Sequence, residues 1–167
     1  MEVRDIQKVT VYDQRREAAK KYQKEMEEKY KIPVMVCDSV EEAVKGAEII
    51  CTVTPSKEPY LKAEWITPGA HINAVGAFTP NTREIESSLM AKAKLYADQV
   101  EAMKKECGEY MIPKNEGLFG EEHITGSIGG ILAGQVPGRE NDTEITLFDA
   151  LGLAVEDVAC GRFLCRE

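Results

Sequence analysis

AEIICTVTPSKEPYLKAEWITPGAHINAVGAFTPNTREIE, residues 47–86, is the stretch that decides the fold. Two short apolar runs, residues 48–52 and 71–75, each lead into a loop rich in Thr, Pro, Gly and Asn. Buried strands that end in small-residue loops on one edge are how an open parallel sheet builds a ligand crevice. No glycine-rich phosphate turn precedes the first strand-like run of the chain. The sequence therefore predicts a nucleotide-binding fold that lacks its opening unit.

Strand-like and helix-like patterns alternate on both sides of this stretch. A capping box at Ser39 opens a short helix through Val44, and residues 109–122 are expected to form a surface loop. Further strands are predicted at residues 8–13, 34–37, 94–97 and 144–148, and further helices at 14–30, 84–93, 99–107, 124–132 and 152–165, the last of them amphipathic. This alternation predicts an α/β fold, a Rossmann-like, doubly wound, mainly parallel sheet in three layers.

Composition limits the classes of partner. The chain has 167 residues, 43% of them hydrophobic, which suits one domain with a real core. Its formal net charge of −8 provides no basic stripe, so neither nucleic acid nor an anionic membrane is expected as the main partner.

The cysteines and histidines indicate the compartment and argue against a metal. Five scattered cysteines include no C-x-x-C pair, and there is neither a signal peptide nor an 18-residue apolar stretch, so a cytoplasmic protein is expected. The two histidines lack neighbours at ligand spacing, which argues against zinc. His71 lies inside a predicted strand and is interpreted as structural, whereas His123 is expected to be solvated.

From about residue 8 to 160 the sequence resembles the nucleotide-binding domain of the ornithine cyclodeaminase/μ-crystallin family. The matching segments are VYD (11–13), EEAVKGAEIICTVTPSKEP (41–59), ITPGAHINAVGAFTPNTREI (66–85), LAGQVPGR (132–139) and EITLFDALGLAVEDVA (144–159). Family members are about twice as long, with a substrate domain and a glycine fingerprint before the matching part. The resemblance implies that residues 1–167 are a partial dinucleotide-binding domain without the substrate domain: a fragment, a truncated gene product or one subunit of a split enzyme.

The resemblance also implies a position for the cofactor's adenosine end. Asp13 ends the first predicted strand, where a carboxylate accepts hydrogen bonds from the ribose hydroxyls and favours NAD over NADP. The alternative is that Asp13 is simply the N-cap of the following helix. Because Arg15 and Arg16 are basic, NADP stays open as the alternative cofactor.

Two loops match family segments that lie along the rest of the cofactor. Thr52, Val53 and Thr54 correspond to backbone beside the diphosphate and the nicotinamide ribose, where small hydroxyl residues allow close approach and offer donors. A plain Thr-Pro turn is the alternative. Asn73, Val75 and Gly76 correspond to the segment beside the nicotinamide, with Gly76 letting backbone approach the ring.

One difference from the family pattern excludes one of the family's reactions. In the cyclodeaminases the second residue after the glycine matching Gly76 is an aspartate acid/base, whereas this chain has Phe78, which cannot exchange protons. The GAFTP pattern (76–80) is nearer the μ-crystallin and ketimine-reductase type. The glycine-rich segment 126–130 is rejected as a phosphate loop because no strand is predicted before it and because its glycines do not have the required spacing. Asp149 is a candidate cap for the last helix.

The resulting hypothesis is the NAD(H)-binding portion of an oxidoreductase acting on small amino or imino acids, inactive by itself and binding NAD weakly. The alternatives are a non-catalytic ligand-binding or interaction protein and one subunit of a split enzyme. In a 3-2-1-4-5-6 sheet the absent strand is central, flanked by the strands at 8–13 and 48–52. We therefore expect either that another chain fills the gap, as a homo-oligomer or a complementary N-terminal chain, or that these two strands pair directly.

Overall fold

The computed structural model describes residues 4–165 and divides the chain into two compact units. One unit ends at Ala47 and the other begins at Glu48. Both are α/β, and every strand pair is parallel. The predicted fold class is confirmed, with a sheet of five parallel strands flanked by helices in the second unit.

The first unit is a two-stranded parallel sheet with two helices. Its elements are β1 (Val9–Val11), α1 (Arg16–Tyr30), β2 (Val34–Val36) and α2 (Val40–Val44). Helix α1 ends where Lys31 adopts a left-handed conformation with φ 57°. The predicted capping box at α2 forms, since the Ser39 hydroxyl accepts the Glu42 amide hydrogen at 3.0 Å.

The second unit contains five strands, five α-helices and two short 3-10 helices, Ala63–Trp65 and Glu121–His123, among the described residues. The strands are β3 (Ile49–Thr52), β4 (His71–Ala74), β5 (Lys94–Ala97), β6 (Ile124–Ser127) and β7 (Thr146–Asp149). The helices are α3 (Ser87–Lys92), α4 (Val100–Glu106), α5 (Gly108–Asn115), α6 (Ile128–Leu132) and α7 (Ala154–Leu164). None of the helices between residues 4 and 165 is long and apolar enough to span a membrane.

The order of the five strands is β3-β4-β7-β5-β6. The 3-2-1-4-5-6 order predicts that β5 lies next to β4, and this prediction is wrong. The connection from β4 through α3 to β5 skips one position, and the late strand β7 fills it. Leu147 of β7 is fully buried there, so this inserted strand forms the middle of the core.

The strand register places one row of residues along the carboxyl edge of the sheet. Thr52 pairs with Ala74, Ala74 with Asp149, and Asp149 with Ala97. This row positions the loops that follow β3 and β4. The alternative in which the strands at 8–13 and 48–52 pair directly is wrong for the described residues, because β1 and β3 belong to separate sheets.

Three further predictions from the sequence are wrong. Residues 124–127 form β6 instead of the start of a helix, although Gly126 and Ser127 have weak strand preference. Residues 108–115 form α5 instead of a loop, with Pro113 tolerated inside it. The last helix, α7, was expected to be amphipathic, yet each of its residues is exposed.

Candidate functional site

The loops that follow β3 and β4 lie against each other at the carboxyl edge. The Val75 amide donates to the Thr52 carbonyl at 3.0 Å, continuing the strand pairing into the loops. Beyond it, Gly76 packs directly on Thr54. An ideal Cβ at Gly76 would overlap the backbone nitrogen and oxygen of Thr54 and lie 2.6 Å from Oε2 of Glu84. Glycine is required here by the contact between the two loops.

A single buried carboxyl group, that of Glu84, binds both loops. Its Oε1 accepts the amide hydrogen and the hydroxyl hydrogen of Thr54, both at 2.6 Å, and the Tyr60 hydroxyl at 2.8 Å. Its Oε2 accepts the Gly76 amide hydrogen at 3.0 Å. Glu84 is fully buried, so these four donors replace water around its oxygens.

The backbone around Glu84 is held in turn by Glu109 of α5. The Glu109 carboxyl accepts the amide hydrogens of Glu84 and, at 3.2 Å, of Ile85. Burial raises the pKa of Glu109 to about 8, against the lowering effect of these amide donors. Burial likewise raises the pKa of Tyr60, whose hydroxyl faces Glu84.

Consecutive residues at the start of α5 each make a buried contact. The Cys107 thiol donates to Oδ2 of Asp149 at 3.3 Å, and the Gly108 amide donates to the Thr79 carbonyl at 3.1 Å. Burial raises the pKa of Asp149 to about 7, and Oδ1 of Asp149 has no partner among the described residues. Residues 107–109 therefore connect the end of β7 to Glu84 and the two loops.

The residues of the two loops divide into inward and outward groups. The Thr52 hydroxyl is buried without a partner among residues 4–165, and both donors of Thr54 point to Glu84. The hydroxyl groups of both threonines are therefore directed into the protein, and their contact with a cofactor stays a prediction. Val53 and Val75 point outward, 69% and 44% exposed. The surface offered at this edge is apolar, which fits a planar, uncharged ring better than a phosphate group.

Two more residues, Asn73 and Phe78, lie near this edge. Asn73 lies within β4, where its amide contacts His71 at 3.3 Å and Cys51 at 3.8 Å. Phe78 is 60% exposed and provides further apolar surface beyond Gly76.

Asp13 belongs to the first unit, just after β1. Its Oδ1 accepts the Arg15 amide hydrogen at 2.7 Å, and no described residue donates to Oδ2. The alternative role as helix N-cap is wrong in detail, because α1 has Arg15 at that position and no side-chain cap. Arg16, which left room for NADP, forms an ion pair with Asp38. Asp13 therefore keeps acceptor capacity of the kind that a ribose diol requires.

The remaining histidine and acidic candidates are structural. The prediction for His71 is confirmed: its ring bonds Thr146 at 2.8 Å, and burial lowers its pKa. His123 is half-buried instead of free in solvent, because its ring bonds the Met90 carbonyl at 2.8 Å and stacks on Phe119. Asp149 does not cap α7.

The residue that holds the loop before α7 is Asp98. Its carboxyl accepts the amide hydrogens of Leu151 and Gly152, each at 2.8 Å. Strand β6 runs into the segment 126–130, so the absence of a strand, one of the two grounds for rejecting it as a phosphate loop, is wrong. The other ground, its glycine spacing, still argues against a phosphate loop. The Ser127 hydroxyl accepts the Gly130 amide hydrogen there at 3.1 Å.

Sequence reasoning missed the buried acids Glu84, Glu109 and Asp98. Glu84 follows Arg83 and precedes Ile85 in a segment that resembles any helix start, and Glu109 lies in the segment expected to be a loop. The only local signal is a charged residue next to an apolar one, which is too common to single them out.

In the described part of the chain no three His, Cys, Asp or Glu residues are grouped to hold a metal.

Comparisons with known proteins agree with this architecture. The sequence matches the profile of the ornithine cyclodeaminase/mu-crystallin family over residues 1–166. It is 39% identical to the mouse ketimine reductase mu-crystallin over 159 residues, which are 95% of this chain and 47% of that protein. The chain spans about half the length of the curated relatives it matches.

Two solved structures superpose closely on the chain. One is the Thermococcus litoralis Delta(1)-pyrroline-2-carboxylate reductase in complex with NADH and L-proline, with 40% identity and a TM-score of 0.94, covering 96% of this chain and 50% of that one. The other is an archaeal alanine dehydrogenase dimer with bound NAD, with 41% identity and a TM-score of 0.89, covering 96% and 49%. The chain belongs to the ornithine cyclodeaminase/mu-crystallin family.

Proposed function

We propose that the chain is the NAD(H)-binding portion of an oxidoreductase that acts on small amino or imino acids. The observation that carries the proposal is the apolar surface of Val53 and Val75, held at the carboxyl edge by loops that pack on each other. Ligands of open parallel sheets bind at that edge. The similarity to a reductase with NADH and L-proline and to a dehydrogenase with NAD supports the same assignment.

The side chains take distinct roles in this proposal. Val53, Val75 and the close backbone at Gly76 contact the nicotinamide ring, with Asn73 keeping the end of β4 in place. Asp13 accepts hydrogen bonds from the adenosine ribose and makes NAD(H) the preferred cofactor. When bound, the cofactor supplies or accepts the hydride. Thr52 and Thr54 shape their loop without donating to the diphosphate, since their polar atoms are buried or bonded to Glu84.

Proton transfer is assigned to residues outside this chain. Phe78 occupies the position of the family's acid/base aspartate and has no exchangeable proton, so ornithine cyclodeamination is excluded from the proposal. We propose that residues 1–167 are a partial dinucleotide-binding domain, and that groups that bind the substrate carboxylate belong to the half of the relatives that this chain does not match. The chain alone is then inactive and binds NAD weakly, because diphosphate affinity depends on amides at a helix N-terminus.

Association with another chain follows from the same proposal. In the five-stranded sheet β3 is an edge strand, and its Ile49 is 42% exposed. An open parallel edge is a template for one more strand. A second copy of this chain or a complementary N-terminal chain is the proposed partner.

Reconstitution of turnover tests the proposal. The wild-type chain, mixed with the N-terminal half of the Thermococcus reductase, is expected to oxidise NADH when a cyclic imino acid is added, while neither part does so alone. Val53→Lys is expected to abolish this activity. Leu132→Lys, which changes an 85% exposed residue of α6, is the matched control and is expected to keep it. NADH binding without turnover by any pairing would favour the alternative, a non-catalytic ligand-binding or interaction protein.

A further inference from the structure

Glu84 connects two loops that are otherwise separate in sequence. Its Oε1 receives both donors of Thr54, 30 residues away, and its Oε2 receives the Gly76 amide, eight residues away. One rigid carboxyl group thus fixes the distance between the loop after β3 and the loop after β4. The adjacent residues Val53 and Val75 are the exposed ones.

The backbone of Glu84 is itself held in place by hydrogen bonds. Its backbone carbonyl accepts the amide hydrogens of Tyr60 and Leu61 at 2.8 and 2.9 Å, and its own amide donates to Glu109. Because the backbone cannot shift without breaking these bonds, the carboxyl group is a fixed point to which both loops are attached. Loss of the acceptor would leave the Thr54 and Gly76 amides buried without a partner, which the loops can relieve only by moving apart.

We propose that Glu84 is a positioning residue that sets the spacing of Val53 and Val75 for the nicotinamide ring. The inference rests on the proposed function and deepens it. Glu84 is buried, so it does not touch the cofactor. It acts through the two loops, and a gap between them that is too wide or too narrow weakens contact with the ring.

The test uses the full chain and the substitution Glu84→Gln. The amide group of Gln retains size but replaces one acceptor oxygen with a donor, so either Gly76 or Thr54 loses its acceptor. Glu144→Gln is the matched control, since Glu144 accepts the Glu140 amide hydrogen at 2.8 Å near the opposite, amino end of β7. Tyr60→Phe is the milder second variant, because it removes one hydroxyl donor to Glu84 but leaves the carboxyl group and the amide donors of Thr54 and Gly76 in place.

Two readouts are measured on each variant: hydrogen exchange at the Thr54 and Gly76 amides, and NADH affinity by titration to millimolar concentrations. For Glu84→Gln we expect exchange to accelerate about tenfold and NADH affinity to fall about tenfold, with Tyr60→Phe giving about threefold in each. Glu144→Gln is expected to change neither measurement. If Glu84→Gln does not fold, Tyr60→Phe decides the outcome.

The outcomes separate this inference from the function on which it rests. Unchanged exchange at Thr54 and Gly76 would overturn the inference, whatever NADH does. Faster exchange with unchanged NADH affinity would also overturn it, since Glu84 would then be only structural. If the wild-type chain does not bind NADH at all, the proposed function fails and the positioning role fails with it, while the exchange data still show what holds the loops.

Discussion

Gly76 lies so close to Thr54 that no side chain fits between the two loops. Any Cβ would meet backbone atoms of Thr54, and also the carboxyl of Glu84, which four hydrogen-bond donors hold in place. The contact joins the ends of β3 and β4 at the edge where the ligand is proposed to bind.

Substitution of Gly76 by Ala should therefore destabilise the protein through overlap with the backbone. We expect a loss of at least about 2 kcal/mol in the free energy of unfolding, measured by urea denaturation. Gly161→Ala is the control, because a Cβ at that position in α7 meets nothing within 4 Å. It should leave stability unchanged or raise it by up to about 1 kcal/mol, since Ala favours helix. Equal stability of the two variants would contradict the close contact.

Stability should fall as the pH rises from weakly acidic to weakly basic. The pKa of Asp149 is raised to about 7 and that of Glu109 to about 8, so the folded protein binds more protons than the unfolded chain between the unfolded and folded pKa values. Their contribution is complete below the unfolded values and is lost as the pH rises through the folded values.

Asp149→Asn isolates one part of this pH dependence. The variant should show a flatter decline of unfolding free energy than wild type between about pH 5 and about pH 8. Glu156→Gln, on the exposed face of α7, should leave the wild-type slope unchanged. An identical slope in Asp149→Asn would show that this carboxyl group is ionised in the folded state.

Thiol reactivity should divide the five cysteines. Cys51, Cys160 and Cys165 are exposed, whereas Cys37 and Cys107 are buried, and burial raises the pKa of Cys107 well above its usual value. Because the thiolate is the reactive form, a thiol reagent should label the three exposed cysteines of the native protein and all five only after denaturation. Mass spectrometry of the labelled peptides distinguishes the sites. Rapid native labelling of Cys107 would contradict its burial between α4 and α5.

Asp13 should set the preference between the two dinucleotides. Asp13→Ala removes the proposed ribose acceptor and the repulsion of a 2′-phosphate, so NADH affinity should fall about tenfold while NADPH affinity does not fall. Asp5→Ala, an exposed change in the same unit, is the control. Equal losses for NADH and NADPH would mean that Asp13 acts through structure alone.

The sequence was sufficient to predict the parallel α/β class and the positions of β3 and β4. Their apolar runs and the Thr-Pro and Gly turns that follow are local signals, and the register then brings Thr52 level with Ala74. Which side chains face outward was not predictable, because that depends on Glu84, whose partners lie as far as 30 residues away.

The errors in the second half of the chain have a similar origin. Pro113 suggests a loop, yet α5 is held by contacts of Cys107 and Glu109 with β7 and Glu84. The insertion of β7 between β4 and β5 cannot be seen in a local pattern, because strand order is decided by packing of the whole sheet.

Saturation-transfer NMR with NADH tests the central claim most directly. NADH is expected to bind weakly. When the methyl groups of the wild-type chain are irradiated, transfer should be strongest at the nicotinamide protons of NADH. This transfer should be lost in Val75→Lys and kept in Leu132→Lys. Transfer that is absent in wild type, or unaffected by Val75→Lys, would contradict the assignment of the paired loops to the cofactor.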